Sequence, residues 1–152
     1  MNKYEQLKLE NQLCFPLYVC SKEIIRKYKP FLSKINLTYT QYLVMMVLWE
    51  NDKINLKTLG EKLFLDSGTL TPVLIKLEQK GYVKRQKNKI DERNLIVEIT
   101  KNGSLLKEQA KNIPKSLSQC IPISNEDAYN LYIILNKILK NINKEKDTSL
   151  ID

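Results

Sequence analysis

The chain has 152 residues, 25 Lys plus Arg against 17 Asp plus Glu, a net charge of +8 and no histidine. Its length and 43% hydrophobic content suit one compact domain with a real core. The missing histidine excludes a Ser-His-Asp triad, a Cys-His pair and any His-ligated metal.

No apolar run is long enough to span a bilayer, and MNKYEQLKLENQ lacks the apolar segment of a signal peptide. A cytoplasmic location without membrane contact is expected. The cysteines, Cys14, Cys20 and Cys120, are odd in number and include no CxxC pair, which argues against a zinc site or a disulfide framework. No metal and no cofactor is expected. The positive charge is concentrated in the middle: residues 53–93 carry ten basic and five acidic side chains. Such clustering is the footprint of a polyanion, most often nucleic acid, with a solvated basic surface as the bland alternative.

Residues 6–35 show apolar positions at three- and four-residue steps, which predicts helix. Pro16 should kink it or mark its true start, and Pro30 should bend or break it. A second helix follows Thr38, a predicted N-cap, and is apolar on nearly all sides through YLVMMVLW. Asn55 is placed to cap a short helix with Leu56, Leu59 and Leu63 on one face. A connection through Gly68 leads to a helix bearing Leu70, Val73, Leu74 and Leu77, expected to start near Gly68 or Thr69 because Pro72 fits only a first turn. Gly81 is its predicted stop. The period then falls to two: Tyr82–Lys87 and 94–99 read as a two-stranded hairpin with a charged tip. Thr100 starts another helix, which Pro114 interrupts. Ser124 caps a last helix with Leu131, Ile134, Leu135, Ile138, Leu139 and Ile142 on its apolar face.

Helix, short turn, helix and basic hairpin in that order read as a winged helix-turn-helix. The fold class is mainly α with a small β-hairpin. Ser67, Gly68, Thr69 and Thr71 are small or hydroxyl residues that let the second helix approach phosphates and base edges. Lys76 and Lys80 are placed for phosphate. The wing offers Arg85, Lys87, Lys89 and Arg93, and an arginine at a hairpin tip can enter a minor groove.

The stretch LDSGTLTPVLIKLEQKGYVKRQKNKIDERNLIVEIT resembles the recognition helix and wing of MarR-family transcription regulators. NQLCF, KYKP and LTYTQY narrow the likeness to the organic-hydroperoxide-sensing, OhrR-type branch over roughly residues 9–140. The resemblance implies a homodimer with a helical dimerisation region from 1–35 and 101–146 and a DNA-binding lobe at 53–100, all in one domain. Two lobes would read double-stranded DNA at a pseudo-palindromic operator. It also implies that Cys14 is the sensor oxidised by organic hydroperoxide, that Tyr28 and Tyr39 hydrogen-bond its thiolate, and that Cys120 is the resolving thiol of a two-cysteine type. A helix start by itself stabilises a thiolate through unpaired N–H groups. Cys20, six residues beyond Cys14 and on another face, reads as packing. Other readings are a regulator that answers small aromatic ligands and, further off, a thiol peroxidase; no enzyme is expected.

Overall fold

The computed structural model describes residues 3–87 and 95–148, with side chains through residue 143. Two short 3-10 turns, Glu5–Leu7 and Leu9–Asn11, precede α1, Cys14–Lys34. There follow α2 (Tyr39–Glu50), β1 (Lys53–Asn55), α3 (Leu56–Leu63), α4 (Ser67–Gln79), β2 (Val83–Lys87), β3 (Leu95–Ile99), α5 (Lys101–Ala110), α6 (Ile113–Ser118) and α7 (Asn125–Thr148). The chain divides into two compact units, residues 1–118 and 119–152.

The caps follow sequence chemistry. The Thr38 hydroxyl accepts from the Gln41 N–H while Gln41 Oε1 accepts from the Thr38 N–H, a capping box at the start of α2. Asn55 Oδ1 accepts from the Thr58 N–H at 2.7 Å, Thr100 Oγ1 from the Gly103 N–H, and Ser124 Oγ from the Asp127 N–H. Gly81 takes φ +74°, with the Tyr82 N–H returning to the Leu77 carbonyl and the Gly81 N–H to that of Glu78. That pair of bonds closes α4 where the glycine stop was expected.

Four expectations are corrected. The first helical stretch starts at Cys14, not near residue 6. Pro16 is the third residue of α1, where an N–H would have no partner in the helix, so it sits there without cost. Pro30 lies inside α1 and does not end it; the helix gives up one N–H and runs on to Lys34. α4 begins at Ser67 because Asp66 caps it, which puts Pro72 beyond the first turn. The sheet has three strands: β1 joins the hairpin, in the order β1-β3-β2, all antiparallel, with Ile54 and Arg85 both opposite Val97. Three residues are too few to show alternation, so β1 left no periodic trace.

The core of the first unit gathers Leu32 from α1, Val44, Met45 and Leu48 from α2, Leu59, Leu70, Leu74 and Leu77 from the helix pair, and Val83 and Val97 from the sheet. All are within 2% of complete burial. At ~25 cal/mol per Å² of apolar surface, each such side chain contributes about 1.5–3 kcal/mol. α7 stands differently: Ile134, Ile138, Leu139 and Ile142 are all exposed. Among the described residues, no helix is long and apolar enough to cross a membrane.

Candidate recognition surface and thiol site

The turn between α3 and α4 rests on two residues. Phe64 adopts a left-handed conformation at φ 55°, and the Leu65 N–H bonds the Gly60 carbonyl at 3.0 Å. A Cβ on Gly60 would sit 2.6 Å from the Leu65 carbonyl oxygen, so only glycine lets the chain turn this closely. Neither residue was singled out by sequence; a lone glycine inside an apolar helical pattern was the available signal.

Asp66 then caps α4. Its Oδ1 accepts from the Thr69 N–H at 2.8 Å and its Oδ2 from the Thr69 hydroxyl at 3.1 Å. These bonds hold its carboxyl below the usual range. Thr71 Oγ1 donates to the Ser67 carbonyl at 2.7 Å. Ser67, Gly68, Thr69 and Lys76 are exposed and Thr71 half-buried, while Leu70, Leu74 and Leu77 face the core. α4 thus turns its hydroxyl-rich start and one cation outward.

Two basic residues have other partners. Lys80 turns inward, donating to the Asn36 carbonyl and to Gln41 Oε1, rather than outward to phosphate. Arg85 lies against Glu78: Nε–Oε2 is 2.9 Å, Nη2–Oε2 2.7 Å, and the Arg85 backbone N–H donates to Oε1 at 2.8 Å. The guanidinium holds the Glu78 carboxyl below its ordinary range. Arg85 therefore fixes the wing to the end of α4. Lys87 is exposed at the end of β2. Lys89 and Arg93 lie outside the described residues.

The tyrosines come together. The Tyr28 and Tyr39 rings are 4.8 Å apart, and Tyr42 stands 5.9 Å from Tyr28. Burial first, then the neighbouring Tyr39 and Tyr42, push the Tyr28 hydroxyl up to about 12; burial also raises Tyr39. Both phenols remain protonated donors at physiological pH. Cys14 is not with them. It is the first residue of α1, and Tyr28 follows on the same unbroken helix, about 21 Å along its axis. Cys14, Cys20 and Cys120 are exposed thiols. Cys20 is exposed in the single chain, and Leu13 and Leu17 in the same stretch are exposed too. Cys120 follows α6, in the second unit.

Comparison with known proteins completes the picture. Residues 26–110 match the family of transcriptional regulators SarA/Rot. The chain is 44% identical over 144 residues to the organic hydroperoxide resistance transcriptional regulator of Bacillus subtilis, covering 95% of this chain and 98% of that one. It resembles the crystal structure of overoxidised AbfR bound to DNA, with a TM-score of 0.73, 39% identity and coverage of 92% and 98%. The structure of disulfide-formed AbfR is similar at a TM-score of 0.64, 38% identity and coverage of 92% and 96%. With its winged lobe, its paired tyrosines and an identity of this size across nearly its whole length, the chain belongs to the MarR-family transcriptional regulators of the redox-sensing, OhrR type, which are not enzymes.

Proposed function

We propose that the chain works as a cytoplasmic homodimeric repressor that leaves its operator when organic hydroperoxide oxidises Cys14. The observation that carries this reading is the tyrosine pair, two protonated phenols side by side and about 21 Å along α1 from Cys14 of the same chain. A second copy packed along α1 and α7 would bring its Cys14 to them. The exposed apolar residues of both helices support such packing.

Each half of the dimer would lay α4 in a major groove of a pseudo-palindromic site, Ser67 to Thr71 and Lys76 toward the DNA and Lys87, Lys89 and Arg93 on the wing. The exposed Cys14 thiolate attacks the peroxide oxygen, the O–O bond breaks, an alcohol leaves, and a sulfenic acid remains. The Cys120 thiolate of the other subunit then attacks that sulfur, forming a disulfide and releasing water. Two relatives support both ends of this sequence, one named for hydroperoxide resistance and one solved in a disulfide form.

The test uses a duplex selected from random DNA by the reduced wild-type protein. Cumene hydroperoxide should release wild type and cross-link it on non-reducing gels. Cys14→Ser should stay bound. Cys120→Ser should still release but without the cross-link. Release of Cys14→Ser by peroxide, equal to wild type, would overturn the sensor assignment and favour a ligand-operated regulator.

A further inference from the structure

Lys80 closes the recognition helix, yet its ammonium points back into the protein. It donates to the Asn36 carbonyl at 2.7 Å and to Gln41 Oε1 at 2.9 Å, reaching across 44 and 39 residues of chain. Gln41 is 2% exposed, the one buried polar side chain among the described residues. Its Oε1 also accepts from the Thr38 N–H at 3.1 Å. A single buried oxygen therefore joins the start of α2 to the end of α4. A lysine that only served solubility would leave its flexible stem free and its head in water. Here burial, with some help from Lys76, pulls its pKa below the ordinary value.

The acceptors stand on the joint between α1 and α2. Asn36 turns the chain there in a left-handed conformation, with the Leu37 N–H bonded to the Leu32 carbonyl. Tyr39, next to the capping Thr38, is the first residue of α2, and its ring rests on Tyr28 of α1. A cleft of about 350 Å³ runs past Asn36, lined by Lys34, Tyr82, Asn102 and Gln109. The joint is thus not packed solid on that side, and Tyr82 is the residue that follows the last turn of α4.

We infer that Lys80 is a positioning residue that couples the tyrosine pair to the recognition helix. Displacing Tyr39 disturbs the Thr38–Gln41 box, moves both acceptors of the ammonium, and shifts the C-terminal end of α4. Lys80 does this from inside the protein and does not touch DNA. The inference rests on the redox reading above, since oxidation of Cys14 is what would move the tyrosines.

The experiment compares full-length wild type, Lys80→Met, Gln41→Met and the double variant. Affinity for the selected duplex is measured reduced and after cumene hydroperoxide, at several salt concentrations, with thermal melts alongside. Each single variant should bind within a few-fold of wild type when reduced and lose roughly tenfold of the peroxide-induced drop. The double variant should lose less than the sum of the two singles, because both remove the Lys80–Gln41 bond. A purely structural lysine would weaken both states alike and leave their ratio unchanged. Gln41→Glu keeps the acceptor and should retain the wild-type drop, which preserves the test if the methionine variants melt.

The inference falls if Lys80→Met keeps the full wild-type drop, or if Gln41→Glu loses it. It also falls if Lys80→Met binds all duplexes more weakly with a salt slope smaller by about one, the mark of a lost phosphate contact. Failure of the redox reading looks different: wild type itself then stays on DNA in peroxide.

Discussion

The winged-helix lobe and the helices α1 and α7 are built to different standards of completeness. In the lobe, Leu59, Leu70, Leu74, Leu77 and Val97 are wholly buried, and Asn55 and Asp66 cap the two helices of the motif. One chain finishes this region by itself. Along α1 and α7 the same kinds of side chain lie open: Leu17 is 37% exposed and Ile134 55%. Tyr28 and Tyr39 stand side by side as protonated phenols, and Cys14 of the same chain is four helical turns from Tyr28. On the redox reading proposed above, the reader is a property of the monomer and the sensor a property of the dimer.

The largest effect should come from attacking the unfinished region. Ile134→Asp with Ile138→Asp places two charges one turn apart on the exposed apolar stripe of α7. Sedimentation should report a monomer, and affinity for the selected duplex should fall by roughly a hundredfold or more, since two linked half-sites become one. The melt of the lobe should hardly move. A dimer that survives this pair of charges would break the comparison, because the open stripe would then have no role in assembly.

Where the lobe meets α5, one substitution tests how tightly it is closed. Gly103 lies in the first turn of α5, where a Cβ would collide with the Tyr82 carbonyl oxygen and stand 2.9 Å from Ile99 Cγ1. Its own carbonyl accepts from Trp49 Nε1 at 2.9 Å, tying α5 to α2. Gly103→Ala should cost ~1–3 kcal/mol of stability, read from the urea midpoint at unchanged slope. Dimerisation should be untouched, in contrast to the α7 variant.

The sequence was a good guide to the lobe because its signals are local. Thr38, Asn55, Thr100 and Ser124 cap where short-range chemistry puts them, and the change of period from 3.6 to 2 marks the hairpin. It was a poor guide wherever a distant atom decides. Nothing near Lys80 in the chain reveals that its acceptors lie 44 and 39 residues away. Likewise nothing near Gly103 announces the Tyr82 carbonyl, and β1 is a strand only because β3 is beside it. Of the site, the tyrosine pair was legible through family likeness. That Cys14 stands apart from it follows only once α1 proves continuous from Cys14 past Pro16 to Tyr28.

A smaller effect separates the tyrosines as donors from the tyrosines as packing. Tyr28→Phe keeps the ring against Tyr39 and Tyr42 and removes the hydroxyl. The reaction of Cys14 with cumene hydroperoxide should slow about tenfold, while the reduced protein binds DNA as before. The hydroxyl's raised pKa also has a stability consequence. The folded state holds this proton more tightly than the unfolded chain, so its stabilising effect is complete below pH 10 and is lost as pH rises through about 12. Wild type should therefore lose more stability than Tyr28→Phe over that alkaline span. Equal alkaline losses would mean that the Tyr28 hydroxyl is no more buried in the folded chain than in the unfolded one.

The smallest effect belongs to the clamp between α4 and the wing. Glu78 takes the Arg85 guanidinium and its backbone N–H, a better arrangement than a lone surface ion pair, though both side chains are partly open to water. Glu78→Gln keeps the shape and should cost only ~0.5–1 kcal/mol. The sign with pH is fixed by the lowered carboxyl pKa. The stabilisation is present above the ordinary carboxylate range and disappears as pH falls through the depressed value. Between pH 6 and pH 3, then, the melting temperature of wild type should drop further than that of Glu78→Gln. The variant's affinity for the selected duplex sharpens the point. If Arg85 serves to hold the wing, its release should weaken binding modestly, because β2 is no longer fixed to α4. Were Arg85 instead a phosphate contact restrained by Glu78, freeing it would tighten binding and steepen the salt dependence by about one counterion.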